Sequence, residues 1–569
     1  MLETVGIAID DDLLDAWRRR VARMRDALGW PPAALVARVH RRDASLALAA
    51  PLDQLLTATE VNEWAWLAAL VDCGHAPAML QAPGYPAPWD EDSARQTLRA
   101  LARAERKPAL LALVGAAEAR GLTVLIDDDS VSLGIGRGAR SWPLAALPAP
   151  VEVDWSLLGD APVALVTGSN GKTTTTRLLA ACVRARGWRT AYTCTDGVYV
   201  GTAQRAAGDY SGPAGARAAL RAPDIEAAIL ETARGGLLRR GLAVQHVHVA
   251  VVTNISDDHF GEYGVHDLDD LAEVKLSIAR ALGPQGILVL NADDALLVRH
   301  AAGLQARRAW FALDADAPLL ATQRARGEAT CGVRAGRLRL QQAQADHDLG
   351  PITGMPLAFG GAARYNIANL AAAALAAQAL GVGAPVIGEV FARFGSDHAD
   401  NPGRLQHWSL GGAQIFVDYA HNPEGLHGLL EVATRDRQGR LGLLLGQAGN
   451  REDEEIRELA RAAAAYRPDR ILLKDMSGML RGRAIGEVPA LLRAELGRCG
   501  LVAAAVSDCL EEYQAVRELL AWARPGDVLV LPVHGKAERP RVGALLAALE
   551  HQHWQPGQPL PPVDPASTP

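Results

Sequence analysis

Gly168-Ser-Asn-Gly-Lys-Thr173 brings together the groups that grip a polyphosphate. In such a turn the backbone N–H groups from Gly168 to Thr173 face inward at a helix N-terminus, Lys172 adds a point charge, and the Thr173 hydroxyl can hold Mg²⁺. Ser169, Asn170 and Thr174 complete the cradle. The spacing Gly-x-x-Gly-Lys-Thr is one residue pair shorter than the common P-loop. A glycine-rich turn can also simply link a strand to a helix, but Lys-Thr in register selects the phosphate reading. The chemistry implied is nucleoside triphosphate binding.

A cradle of this kind needs a strand that ends in it and a helix that starts from it. Val163-Ala-Leu-Val166 is an apolar β-type run, and Arg177-Leu-Leu-Ala-Ala-Cys182 follows with a helical pattern. Further apolar strands at 227–230, 247–253 and 286–290 alternate with helical segments, which predicts a parallel sheet wrapped by helices. The pattern breaks near residues 397–404, at Asn401-Pro-Gly. It resumes with strands at 414–418, 441–445, 470–474 and 527–531. Ahead of the cradle, amphipathic helices over 11–28 and 59–72 and a hairpin from 122–126 and 130–134 form a first unit. A Pro-punctuated linker from Pro143 to Pro150 ends it. The fold class is therefore α/β in three domains, an N-terminal one over 1–150, a central one over 151–400 and a C-terminal one over 401–553. The polar, Pro-rich residues 554–569 read as a disordered tail.

Bulk properties remove several classes of function. At ~150 residues per domain, 569 residues allow three or four domains. Lys plus Arg is 58 against 65 Asp plus Glu, a net charge of −7, and no basic stripe occurs, which argues against a nucleic-acid partner. The six cysteines include no Cys-x-x-Cys and read as reduced, mostly packed thiols. The first residues lack a basic, apolar export pattern, and the most apolar helical segment, 370–380, is too short to span a bilayer. A cytoplasmic protein is expected.

Several short motifs follow the cradle in order: Leu230-Glu-Thr-Ala-Arg-Gly-Gly236, Val252-Thr-Asn-Ile-Ser-Asp-Asp-His259, Leu290-Asn-Ala-Asp-Asp294, Tyr365-Asn-Ile-Ala-Asn369, Asn401-Pro-Gly-Arg404 and Asp418-Tyr-Ala-His-Asn-Pro423. Over about residues 160–540 this series resembles the Mur ligase superfamily, ATP-dependent ligases that join a carboxylate to an amine. It most resembles the Mur-like half of the cyanophycin synthetases, through Thr195-Asp-Gly-Val-Tyr-Val200, Gly208-Asp-Tyr-Ser-Gly-Pro213 and Leu480-Arg-Gly-Arg-Ala-Ile-Gly-Glu487. Ala58 to Trp66 and Val131 to Gly136 resemble the N domain of those enzymes. One departure is large. Those enzymes carry an ATP-grasp module between the N domain and the Mur-like half, whereas here Gly134-x-Gly-x-Gly138 leads almost directly to the linker. By itself that glycine run reads as a hairpin turn.

The resemblance implies a Rossmann-like C-terminal domain and assigns roles to residues. Thr173 and Glu231 would share one Mg²⁺. His259 would help bind a second ion, braced by a carbamylated Lys275. Asn291 and Asn369 would serve the nucleotide; Asn369 alone could equally be a helix cap. Tyr365 replaces a histidine common in relatives. Arg404 and Asp418 would close onto the phosphates and ribose, although Arg404 alone fits a structural ion pair as well. His421 and Asn422 would border the incoming amino acid. Arg481 and Arg483 would grip its carboxylate, with Asp475 or Glu487 for a cationic side chain. Taken without the family, Arg481-Gly-Arg483 reads equally as a solvated turn.

The implied reaction is carboxylate phosphorylation by ATP, followed by amine attack on the acyl phosphate, giving an amide or isopeptide bond. Arginine added to an aspartate side chain of an acidic peptide leads the substrate choices. Without the ATP-grasp module the chain would either meet a separately encoded ATP-grasp ligase that extends the acceptor backbone or modify a finished peptide, and a homo-oligomer is compatible with the family. The rivals are a ligase for a peptidoglycan precursor or polyglutamate, and a degenerate nucleotide-binding partner of an ATP-grasp enzyme. Retention of Lys172, Thr173, Glu231 and His259 speaks against the last.

Overall fold

The computed structural model describes residues 1–562 except 5, 40–42, 76–89, 257–262, 344 and 477. The strand that must deliver the cradle, Val163–Thr167, is buried along its whole length, as is its neighbour Ala227–Glu231. Near-continuous Val, Leu, Ile and Ala runs fit a strand covered on both faces. Among the described residues these strands lie inside an 11-stranded sheet. Its order is Ala203–Ala207, Gly197–Val200, Thr190–Cys194, Ala227–Glu231, Val163–Thr167, Val247–Val252, Leu282–Asn291, Arg307–Asp314, Ala329–Arg334, Arg337–Gln342, Ala345–Pro351. Neighbours are parallel from Thr190–Cys194 to Ala329–Arg334. Antiparallel hairpins close both edges.

The helix Arg364–Ala379 explains its own composition. Residues Leu370 to Ala377 are buried, packed against the sheet and against the Lys172–Ala185 helix beside them. A helix apolar all round belongs in a core, and its alanines allow close approach. No helix among the described residues is long and apolar enough to cross a membrane.

A second sheet of six strands follows, in the order Gln406–Leu410, Ala413–Asp418, Val528–Pro532, Leu441–Leu445, Arg470–Leu473, Val506–Asp508. Among the described residues only its first pair is antiparallel. The expected loose tail is packed for as far as it is described. Trp554 is buried, Leu560 joins the apolar cluster around Leu545, and the Pro561 carbonyl accepts from Arg517 at 2.7 Å.

Before residue 160 the described residues build two small cores. Helices Asp11–Leu28, Leu55–Asp72 and Glu91–Glu105 accompany a sheet of Leu2–Glu3, Ala44–Leu48 and Leu35–Val39. Trp17 donates to Asn62 at 2.8 Å and Asn62 to the Leu46 carbonyl at 2.9 Å, so the Asn62 to Trp66 motif is core packing. Helix Pro108–Glu118 and a three-stranded hairpin sheet (Val124–Ile126, Ser130–Leu133, Arg140–Pro143) form the second core. The expected 143–150 linker is not loose, because Leu144 and Leu147 pack on that core. Gly134, Gly136 and Gly138 form a seam with the central domain. A Cβ at any of them would overlap the Gly159 or Ile225 backbone. Of the cysteines, Cys182, Cys194 and Cys331 are buried, while Cys73 and Cys499 are exposed.

Candidate active site

Four neighbouring strands, Thr190–Cys194, Ala227–Glu231, Val163–Thr167 and Val247–Val252, end side by side and deliver Thr195, Glu231, the glycine turn and Asn254 to one place. Ligands gather at such carboxyl edges where strand order reverses. Gly168 has φ 144° and would carry its Cβ into Thr253; Gly171, at φ 82°, would press on the Asn369 amide. Only glycine fits either position. The turn differs in detail from a fully open cradle. Ser169 N donates to the Asn254 carbonyl at 2.9 Å and Asn170 N to Asn254 Oδ1 at 2.8 Å, so these amides brace the turn. Lys172 Nζ donates to the Gly168 and Ser169 carbonyls, at 2.9 Å each.

Thr173 Oγ1 donates to Glu231 Oε2 at 2.8 Å, and Arg404 Nη2 reaches Thr173 Oγ1 at 3.3 Å and Thr195 Oγ1 at 3.1 Å. Glu231 is 2% exposed, and its Oε1 is buried with no hydrogen-bond partner among the described residues. A buried carboxylate oxygen left over beside a threonine hydroxyl fits the needs of a hard divalent cation. Burial pushes the Glu231 carboxyl up, against the pull of Lys172, Arg404 and the Thr173 hydroxyl. Lys275 is buried in the helix Leu268–Leu276, and its Nζ donates to the Gly168 carbonyl at 2.9 Å. Asp418 is likewise pushed up by burial, opposed by Arg404 and by backbone N–H groups. It accepts from Leu405 N at 2.6 Å, which fixes the residue beside Arg404. Among the described residues no three His, Cys, Asp or Glu side chains form a metal cage. His259 lies outside the described residues.

A cavity of about 620 Å³ opens here between the central and C-terminal domains. Ser169, Asn170, Lys172, Thr173, Thr174, Glu231, Lys275 and Asn369 line it from one side, and Arg404, Asp418, His421 and Arg481 from the other. Asn369 sits in the second turn of its helix, bound to Asn366 and Thr175, so it is no cap. Tyr365 is a half-buried wall of the cavity, its ring against Gly428.

Other expected contacts have different work. Asn291 donates to the Thr253 carbonyl at 3.1 Å and accepts from Asp293 N, bracing strand ends away from the lining. Asn422 caps the helix Pro423–Thr434 and bridges to Asn170 at 3.1 Å. Arg483 is taken up by the Gly449 and Arg451 carbonyls and the Asp453 and Glu487 carboxylates, so its fork braces the loop rather than a substrate carboxylate. Glu487 pairs with Arg483 and the Ala484 amide, and Asp475 accepts from Gly486 N. None of these lines the cavity.

The lining also holds Thr195, Asp209, Arg234, Glu424 and Arg451, to which the sequence reading gave no role. Thr195, Asp209 and Arg234 stood inside recognised motifs and were the findable ones. Arg451 follows the Leu441–Leu445 strand in a loop with no recognised pattern.

Two family descriptions match: the Mur ligase middle domain over residues 166–377 and the Mur ligase glutamate ligase domain over 403–532. A cyanophycin synthetase of Synechocystis sp. is 37% identical over 331 residues, 58% of this chain and 38% of that protein. The chain thus spans about two-fifths of the length of such relatives. A UDP-N-acetylmuramoyl-L-alanyl-D-glutamate–2,6-diaminopimelate ligase of Corynebacterium glutamicum is 28% identical over 445 residues, 75% of this chain and 77% of that one. Among solved structures, a bifunctional folylpolyglutamate synthase/dihydrofolate synthase with Mn, AMPPNP and L-glutamate bound shares the fold. It has a TM-score of 0.50 and 20% identity over 68% of this chain and 89% of its own.

Proposed function

The chain belongs to the Mur ligase family, and we propose that it uses ATP to join the amine of an amino acid to a carboxylate of an acidic acceptor. One observation carries the reading: Thr173 and Glu231 of the central domain meet Arg404 of the C-terminal domain at the mouth of the glycine turn. In-line transfer of the γ-phosphoryl to a carboxylate oxygen yields ADP and an acyl phosphate. Attack by the amine then expels phosphate and releases a proton. The protein's task in this chemistry is positioning and charge stabilisation. Lys172 and the amides at the start of its helix would hold the phosphates, and Arg404 would counter charge on the transferring group. Glu231 and Thr173 would hold Mg²⁺, which neutralises phosphate oxygens. The reading keeps His259 for a second ion and Lys275 as the lysine that takes up CO₂ as a carbamate; support for Lys275 is its nearness to the turn, where its Nζ donates to the Gly168 carbonyl. Domain contact across the cavity would exclude water from the acyl phosphate.

For substrates we take arginine as the amine and an aspartate side chain of a peptide as the acceptor. The support is the cyanophycin synthetase likeness, together with a cavity walled by Arg234, Arg451 and Arg481 for carboxylates and by Glu424 and Glu431 for a cation. A separately encoded ATP-grasp ligase would build the acceptor backbone, the N-terminal unit would hold it, and the reaction would run in the cytoplasm. The likeness to the diaminopimelate ligase favours a second reading, addition to a peptidoglycan precursor. Phosphate release from Mg-ATP, screened over acceptor and amine pairs with Lys172→Ala as control, separates them. Turnover with poly-aspartate and arginine, lost at least ~100-fold in the variant, is expected. Turnover only with a muramyl peptide and a diamino acid would replace the substrate assignment.

A further inference from the structure

Asp196 lies directly after Thr195, mostly buried, and receives cations from two domains. Arg177, 3% exposed, donates to its Oδ2 at 2.7 Å. Arg539, at the start of the helix Glu538–His551 in the C-terminal domain, donates to Oδ1. The Arg539 guanidinium also lies 4.9 Å from the centre of the Tyr419 ring, and the Arg404 guanidinium lies 4.4 Å from the same ring. Arg404 then crosses back to Thr173 and Thr195. The contacts Asp196, Arg539, Tyr419, Arg404, Thr195 therefore form a closed circuit that crosses the domain boundary twice. The connection between the domains is tied to the same group. Arg177 donates to Asn401 Oδ1 at 3.3 Å and to the Pro402 carbonyl at 3.2 Å, while Asn401 donates to Thr174 Oγ1 at 3.2 Å.

We propose that Asp196 is an interdomain latch and a positioning residue. By holding Arg539 it fixes Tyr419, and so aims Arg404 at the phosphate cradle. This rests on reading the cavity as the nucleotide site. Without the carboxylate, Arg177 and Arg539 face each other as like charges, with little access to water to screen them. Burial works against ionising Asp196, yet Arg177, Arg404 and Arg539 together hold its carboxyl below the usual aspartate range.

The test combines small-angle scattering with calorimetric binding of AMPPNP in Asp196→Asn, Arg539→Gln, their double variant and Arg539→Lys. Each single neutralisation should enlarge the radius of gyration with AMPPNP bound and weaken its binding about ten-fold. The double variant should be no worse than either single, and Arg539→Lys should keep more affinity than Arg539→Gln. Wild-type compaction and affinity in Asp196→Asn, or additive losses in the double variant, would overturn the latch. Should Arg539→Gln not fold, Asp196→Asn against Arg539→Lys carries the comparison. Lys172→Ala separates the two readings. If it binds AMPPNP normally, the nucleotide site is misplaced, and the latch stands or falls on the nucleotide-free radius of gyration.

Discussion

Glu231 is where function and stability oppose each other. Its carboxylate is buried, and in the absence of a cation one oxygen is without a hydrogen bond among the described residues. Burial raises its folded pKa above the unfolded value. The native state then binds the proton more tightly, and ionisation costs stability as pH rises through the interval between the two values. Glu231→Gln should therefore raise the melting point of metal-free protein at neutral pH, by about 1 kcal/mol of added stability, while Mg-ATP turnover is lost. A variant that melts lower than the parent and still turns over would contradict both halves. For turnover the sign reverses, because metal binding needs the ionised form. Activity should fall on acidification from a pH above the ordinary glutamate range. At this scale the sequence was legible where chemistry restricts the residue type, as at Gly168, Lys172 and Thr173. It misled where a polar residue had a nearer partner. Arg483 and Asn422 had the right types for a substrate, but local loop carbonyls and a helix N-terminus had already taken them.

Elements buried on both faces were readable from their composition. The central strands and the helix Arg364–Ala379 stood out because only apolar or small residues survive there. The edge hairpins, such as 197–200 with 203–207 and 337–342 with 345–351, were missed because their outer strands are largely exposed and mix polar with small residues, which leaves no continuous apolar run. Two substitutions test this packing account by thermal melting. Ala373→Leu, at a fully buried point of the central helix, should cost about 1–3 kcal/mol through overpacking. Gly136→Ala should cost about 3 kcal/mol, since φ is 64° and the added Cβ would strike the Ile225 carbonyl. A melting point unchanged by Gly136→Ala would mean that the N-terminal unit is not seated on the central domain by this seam.

At the scale of the molecule, the cavity exists only where the central and C-terminal domains meet, so its chemistry depends on closure. Asp196 gives closure a pH dependence with a definite sign. Its folded pKa is depressed, so its contribution is full above the ordinary aspartate range and disappears as pH falls through the lower folded value. Scattering of the AMPPNP-bound protein should accordingly report opening in strong acid and none between neutral pH and about 5. The Asn401-Pro-Gly break lies between the last strand of the 11-stranded sheet and the first of the six-stranded one, but the seating of residues 134–138 on the next domain left no trace in the sequence, because glycine leaves no apolar signature. The central claim is phosphoryl transfer to a carboxylate. It is tested most directly by incubating the protein with Mg-ATP, arginine and an aspartate peptide whose side-chain carboxylates carry ¹⁸O. The account predicts one ¹⁸O in each phosphate released alongside the amide product. Unlabelled phosphate accompanying product, or phosphate release with no amide formed, would contradict it.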